Sequence, residues 1–309
     1  MGRTPKEGDY AMPINSEPLT SITGIRYGRT DLPTLVLDLL GPYPLPDRPL
    51  PTVIRVTGPG WTEENRAGYS VSRLGIRFLA AAGFLAGAIS VRLSWQAPFP
   101  APIHDVKAAI RWLRAHTDDY PIDPDRIGIL GDSAGGHLAA LAGLTSDNPD
   151  IEGDSGSPGY SSTVQAVVAI SANSDFLSLD SCQSTQPPPQ PPIRFCRDLG
   201  GPVDTLSQLF GGPLAQRQDL MRLASPINHV HRDAPPYLIV HGTRDETVPF
   251  EQGEHLHRAL EQAGATTTFI PIEGGYHNLR DNPDLPYDSD VWDNIGEQTI
   301  EFFDHHLRR

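Results

Sequence analysis

Apolar runs of strand length recur along the chain and are separated by stretches of helical periodicity. Such runs predict buried β-strands, because a strand covered on both faces is apolar at nearly every position. The predicted strands lie at 52–57 (TVIRVT), 85–93 (LAGAISVRL), 125–131 (DRIGILG), 164–172 (VQAVVAISA), 236–242 (PYLIVHG) and 266–274 (TTTFIPIEG). Five of these strands are of continuous apolar character, each with a crossover helix, and they indicate a parallel sheet covered by helices on both faces.

The stretches between these runs predict the crossover helices. In the stretch 102–117, for example, Val106, Ile110 and Leu113 fall on one helix face. The predicted helices cover residues 69–82, 102–117, 134–145, 213–223, 250–263 and 289–307. Upstream, TSITGIRYG (20–28) and PTLVLDLLG (33–41) predict two strands that form a hairpin.

These elements predict an α/β fold with one core: a mostly parallel central sheet that begins with an antiparallel N-terminal hairpin. Residues 1–18 are interpreted as a loosely held arm, and residues 19–309 as one domain. The proline-rich segment 175–212 interrupts the alternation, and we interpret it as an insertion that forms a lid or pocket wall. It contains both cysteines, Cys182 and Cys196, which form either a disulfide or two free thiols.

The charge balance excludes several classes of partner. The formal net charge is −14, and only two of the 24 basic residues are lysines, so neither nucleic acid nor an anionic membrane surface is expected as a partner. The chain has no uninterrupted apolar run near the roughly 18 residues of a transmembrane helix. The N-terminal stretch lacks the apolar region of a signal peptide, so we expect a cytoplasmic protein, or a secreted one if a signal was removed.

The strongest local signal is the stretch from Gly131 to Gly135, GDSAG, which fits the pattern G-x-S-x-G. It has the required context of a strand before and a helix after. A sharp strand-to-helix turn crowds the backbone, so the side chains two positions either side of Ser133 must be minimal, as the two glycines are. We therefore predict that Ser133 is a nucleophile at the carboxyl end of the sheet. The alternative is a glycine-rich turn with an incidental serine.

A serine nucleophile needs a base, and the base needs a group that orients it. His277 follows the last predicted strand, and Asp245 follows the strand before it. The chain order Ser133, Asp245, His277 is the order expected of this arrangement. Glu246 and Asp175 are the alternatives for the acid. Since no other histidine has metal-ligand spacing with a second ligand, we expect no metal site.

The stretches GDSAGGH, HGTRDETVP and Gly-Gly-x-His at 274–277 together resemble the α/β-hydrolase superfamily. The resemblance covers roughly residues 50–150 and 235–280 and implies an α/β-hydrolase fold. More narrowly, the chain is similar to the carboxylesterase branch that contains hormone-sensitive-lipase-like and bacterial feruloyl/acetyl-xylan esterase-like enzymes.

That branch carries a His-Gly-Gly-Gly-Trp-like loop after its third strand, and TGPGW (57–61) falls in its place. The resemblance implies that this loop forms half of an oxyanion hole, completed by the backbone N–H of Ala134. Pro59 replaces the middle glycine and has no N–H, so the donors would be Gly60 and Ala134, with Trp61 as a third candidate. The alternative is a plain turn.

The resemblance and the three side chains together predict a serine hydrolase that cleaves carboxylic esters and needs no cofactor. We expect a small-molecule substrate with a short to medium acyl or arylalkanoyl group. An amidase or arylformamidase is the alternative among enzymes, and a non-catalytic ligand-binding module is the alternative outside them. The candidate substrate-binding residues are Trp61, Asp132, Phe176 and Tyr276.

Overall fold

A computed structural model describes residues 18–29, 31, 35–56, 59–62, 76–146, 148–180, 205–277, 279 and 289–308. The predicted arm (1–18) lies outside these residues except for its last position, and so do both cysteines of the predicted insertion. Thr57 and Gly58 of the TGPGW loop are also outside them.

The centre of the fold is an eight-stranded sheet with the strand order β1-β2-β4-β3-β5-β6-β7-β8. The first two strands form the predicted antiparallel hairpin, and β2 also pairs antiparallel with β4. All pairs from β4 to β8 are parallel. The strands are β1 (Leu19–Arg26), β2 (Val36–Pro42), β3 (Leu50–Val56), β4 (Leu85–Ile89), β5 (Ile122–Asp132), β6 (Ala166–Ile170), β7 (Tyr237–Gly242) and β8 (Thr267–Ile272).

Helices cover both faces of the sheet, as predicted. Their bounds are α1 (Arg77–Ala81), α2 (Ala101–Ala115), α3 (Ala134–Leu144), α4 (Pro149–Glu152), α5 (Phe176–Asp180), α6 (Thr205–Leu209), α7 (Gln218–Ala224), α8 (Phe250–Ala263) and α9 (Ser289–Leu307). Short 3₁₀ turns lie at Pro59–Trp61, Leu214–Gln216 and Pro226–His229. The apolar sides of α2, α3 and α8 pack on one face of the sheet, and those of α1 and α9 pack on the other.

The predicted strand bounds differ from the structure by up to four residues, and two of these differences have a visible cause. Strand β4 ends at Ile89 rather than at 93, because the next residues turn away from the sheet toward α2. The Arg92 N–H bonds to the Asp105 carboxylate at 2.8 Å, and the Arg92 side chain bonds to the same carboxylate. Strand β5 starts at Ile122 rather than at 125, because its first residue pairs with Leu50 of β3.

The predicted insertion is partly described. Residues 175–180 and 205–212 contain α5 and α6, and residues 181–204 lie outside the described ranges. The predicted helix at 69–82 is described only from residue 76 onward and contains α1 there. In the part of the chain that the structure describes, no helix is both long and apolar enough to span a bilayer.

Candidate active site

The turn between β5 and α3 holds Ser133 in a conformation that L residues rarely adopt, with φ 53° and ψ −122°. This turn leaves no room for side chains at the neighbouring glycines. A Cβ on Gly131 would lie 2.2 Å from the Gly135 carbonyl oxygen, and a Cβ on Gly135 would lie 2.5 Å from the Val56 carbonyl oxygen. The glycines of G-x-S-x-G are therefore required by the close approach of three backbone segments.

Ser133 and His277 meet above the carboxyl end of the sheet. Ser133 follows β5 and His277 follows β8, and the distance between Ser133 Oγ and His277 Nε2 is 2.9 Å. The His277 side chain is 23% exposed, so one side of the ring faces solvent. The two residues are 144 positions apart in the chain, and the sheet brings them into hydrogen-bond contact.

Asp245 lies on the other side of the His277 ring. Its Oδ2 is 2.9 Å from His277 Nδ1, and its side chain is fully buried. The backbone N–H groups of Thr247 and Val248 each donate to Asp245 Oδ1 at 2.8 Å. The carboxylate is thus fixed by its own loop, and it favours the tautomer that carries the proton on Nδ1 and leaves Nε2 free to accept from Ser133.

The two other candidate acids have different partners. The Glu246 carboxylate accepts the backbone N–H of His277 at 3.1 Å. Asp175 accepts the backbone N–H of Leu177 at 3.0 Å, at the start of α5. Of the three carboxylates, it is Asp245 that bonds to the imidazole ring.

The charges of this site shift two pKa values in opposite directions. Burial disfavours the charged imidazolium, but the charge of Asp245 and its hydrogen bond outweigh burial and raise the pKa of His277 above its ordinary value. Burial likewise disfavours the Asp245 carboxylate, but the charge of His277 and a hydrogen bond from His241 hold the pKa of Asp245 well below its ordinary value. An ionised carboxylate therefore faces a histidine whose pKa its charge raises.

The end of the TGPGW loop lies beside this turn. Gly60 has φ 56° and ψ 17°, and Trp61 has φ 58°, so two successive residues adopt left-handed backbone conformations. The Trp61 indole is almost completely buried, and its Nε1–H donates to His137 Nδ1 at 3.2 Å. Ala134 is the first residue of α3, where helical N–H groups have no acceptor within the helix.

The BD-FAE family model matches residues 37–260, which is most of the chain. The chain belongs to the BD-FAE family. The matched range contains the Ser133 turn and Asp245, whereas His277 lies beyond it. The importance of His277 in this BD-FAE protein therefore rests on the distances given above.

Two of the named relatives of this BD-FAE protein are bacterial esterases. Esterase LipC of Mycobacterium tuberculosis is 34% identical over 82% of this chain, and esterase LipQ of the same organism is 31% identical over 75% of it. The chain spans only about half the length of these curated relatives, 59% of LipC and 51% of LipQ.

A solved structure, described as a truncated form of a carbohydrate esterase from gut microbiota, matches along the whole length. It is 31% identical, covers 99% of this chain and 100% of its own, and has a TM-score of 0.77. The α/β-hydrolase fold implied by the sequence is thereby confirmed.

The predicted substrate-binding residues of this BD-FAE protein have different surroundings. Phe176 is fully buried beneath Trp61, at 5.9 Å between ring centroids. The Asp132 carboxylate, 28% exposed, pairs with the buried Arg55 guanidinium at 2.5 Å. Tyr276 is half-buried and lies under the Arg244 guanidinium, 5.3 Å from its ring centroid. The substrate-binding role of all four residues, Trp61 included, stays a prediction.

Sequence reasoning missed two buried histidines that contact this site. His137 accepts from the Trp61 indole, as described above, and His241 Nε2 lies 3.2 Å from Asp245 Oδ2 and 3.1 Å from the Val248 carbonyl oxygen. A signal was available for each. His137 stands four residues after Ser133, one helical turn along α3, and His241 stands four residues before Asp245. Among the described residues, no group of three or more His, Cys, Asp or Glu side chains could hold a metal ion.

Proposed function

We propose that this chain is a serine hydrolase that cleaves carboxylic esters through an acyl-enzyme intermediate. The observation that carries the proposal is the continuous hydrogen-bonded line from Ser133 Oγ through the His277 ring to Asp245, with distances of 2.9 Å on both sides of the ring. A hydroxyl, an imidazole and a buried carboxylate in this order are the groups that nucleophilic acyl transfer requires.

In the first half of the reaction, Ser133 Oγ attacks the ester carbonyl while its proton passes to His277 Nε2. The resulting imidazolium is stabilised by the Asp245 carboxylate and then gives its proton to the leaving alcohol. In the second half, His277 takes a proton from water, which attacks the acyl-enzyme. The carboxylic acid leaves and the Ser133 hydroxyl is restored.

The tetrahedral intermediate needs N–H donors for its oxyanion. We propose the backbone N–H groups of Gly60 and Ala134 for this role, with Trp61 N–H as a third donor. Pro59 has no N–H and contributes none. Because one donor is worth about 2.7–4 kcal/mol of transition-state stabilisation, a hole with fewer donors would slow the reaction without changing its course.

Two further observations support esters as the substrates. Relatives that cover most of this chain are named esterases, and the structure that matches over its full length is described as a carbohydrate esterase. We propose short to medium acyl or arylalkanoyl esters.

The test is the turnover of p-nitrophenyl esters with acyl chains of two to twelve carbons, measured beside methyl ferulate, acetylated xylan and an aryl formamide. We expect an optimum at short to medium esters and a rate at least a thousandfold lower in Ser133→Ala. Ser157→Ala, a half-buried serine on the loop after α4, is the matched control and should keep the full rate.

Each other outcome has a definite meaning. A preference for the formamide would favour the amidase alternative, and an optimum at twelve carbons would contradict the proposed acyl range. A folded protein that turns over no ester and is not labelled by a serine-directed phosphonate would favour the non-catalytic binding module. Undiminished turnover in Ser133→Ala would refute the mechanism.

A further inference from the structure

A buried hydrogen-bonded chain connects the turn that holds Ser133 with the loop that holds Gly60 and Trp61. His137 lies one turn after Ser133 on α3, and its backbone N–H donates to the Ser133 carbonyl oxygen at 2.9 Å. Its ring accepts the Trp61 indole N–H on Nδ1 at 3.2 Å, and its Nε2 lies 2.8 Å from the Ala224 carbonyl oxygen at the end of α7. These hydrogen bonds thus join three separate segments of the polypeptide.

The partners determine where the ring of His137 carries its proton. An indole N–H can only donate, so Nδ1 must be the unprotonated nitrogen. A carbonyl oxygen can only accept, so Nε2 must carry the proton that Ala224 receives. Burial, only partly offset by the bond to Ala224, lowers the pKa of His137 to about 4, and the ring is therefore neutral at neutral pH. Both ring nitrogens then have a matching partner.

The surroundings of His137 restrict the ring further. The edge of the ring packs against Phe176 at 4.9 Å between centroids and an interplanar angle of 86°. Trp61 contacts both rings, at 5.5 Å from His137 and 5.9 Å from Phe176. The Trp61 indole is thus held between one ring that packs against it and one that accepts its N–H.

Trp61 also needs to be held, because its backbone is in the left-handed region at φ 58°. Non-glycine residues keep such a conformation only where their surroundings fix them. Gly60, the preceding residue, is left-handed as well, so the direction of the N–H groups in this loop depends on the side chain that anchors it.

We propose that His137 is a positioning residue for the oxyanion hole, because it ties the indole of Trp61 to the same helix that presents Ser133. The assignment rests on the function proposed above. The nucleophile and the loop donors are then held by one rigid element, and their spacing is set by a side chain that never touches the substrate.

Three variants separate the two hydrogen bonds of the ring. In His137→Asn, the amide oxygen can replace Nδ1 as the acceptor for Trp61. In His137→Gln, the longer amide can replace Nε2 as the donor to Ala224, while the acceptor near Trp61 is lost. Trp61→Phe removes the indole N–H and leaves an aromatic ring in the same place.

We expect His137→Gln and Trp61→Phe each to lower kcat at least tenfold while KM changes less than threefold, because loop donors act on the transition state and not on bound substrate. His137→Asn should retain more than a third of the wild-type kcat. The double variant Trp61→Phe/His137→Gln should be no slower than the slower single variant, since both remove the same bond. Binding of a trifluoromethyl ketone transition-state analogue should weaken in parallel with kcat.

A wild-type kcat in Trp61→Phe, or equal losses in His137→Asn and His137→Gln with unchanged Tm, would overturn the assignment. If His137→Gln does not fold, Trp61→Phe carries the test alone. The proposed ester hydrolysis is tested separately, by the activity of Ser133→Ala. An active wild type with an inactive Ser133→Ala and a fully active Trp61→Phe would refute only the role of His137.

Discussion

Replacing Asp245 by asparagine tests how the site holds the His277 tautomer. Asp245 Oδ1 accepts two backbone N–H groups, from Thr247 and Val248, so the amide oxygen of the new side chain must stay at that position. The amide NH2 group then takes the place of Oδ2, 2.9 Å from His277 Nδ1, while the amide oxygen, 3.0 Å from the same nitrogen, already accepts the two backbone N–H groups. A donor at this place favours a bare Nδ1 and moves the ring proton to Nε2.

The size of the effect follows from this change of tautomer. With its proton on Nε2, His277 cannot accept from Ser133 Oγ, although the 2.9 Å distance between the two atoms remains. The corresponding change in a serine protease lowers kcat by about 10⁴, which is about 5.4 kcal/mol of transition-state free energy. We expect a loss of the same order here. If the amide flipped, its NH2 group would face the two backbone N–H donors that now bind Oδ1, so the flipped orientation is unfavourable.

The assay is steady-state hydrolysis of a short-chain p-nitrophenyl ester, together with the Tm of both proteins. Glu246→Gln is the matched control, since Glu246 accepts the backbone N–H of His277 rather than a ring N–H, and this variant should retain most of the activity. If Asp245→Asn keeps more than a tenth of the wild-type kcat while remaining folded, the tautomer argument is wrong.

Two further predictions concern pH dependence and stability. Catalysis needs neutral His277, whose raised pKa places the acid limb of kcat/KM at a higher pH than an unperturbed histidine would give. Because the charge of Glu246 adds to this shift, Glu246→Gln should move the limb to lower pH, and an unmoved limb would contradict the electrostatic account. Lys107→Met removes a fully buried ammonium 2.8 Å from Glu152 and should destabilise the fold by about 3 kcal/mol in urea unfolding, against less than about 1 kcal/mol for the exposed Arg258→Met. Equal losses in these two variants would refute that reasoning.

Much of the fold was predictable because its signals are local. A buried parallel strand is apolar at nearly every position, so the fully buried strands β3, β4, β6 and β7 could each be recognised alone. The Ser133 turn was equally clear, since two glycines are the only residues that fit between its backbone segments. Asp245 and His277 followed from the rule that ligand groups gather at the carboxyl ends of parallel strands.

What could not be predicted depends on contacts between distant segments. In the sequence, His137 and His241 look like ordinary core histidines. Only the structure reveals that His137 bonds to Trp61 and that His241 lies against Asp245. The early end of β4 has the same cause, because Asp105 on α2 binds the backbone at Arg92. No periodicity in a single segment carries this information.

The path from Ser133 to His277 runs across four neighbouring strands, from β5 through β6 and β7 to β8. A slip of β8 by one residue against β7 would displace His277 by about 3.3 Å, more than the length of the bond it makes. Ester turnover during refolding would therefore appear only once all four strands are in register. The rate of its recovery measures the assembly of the sheet rather than the formation of helices, and circular dichroism recorded in parallel would separate the two.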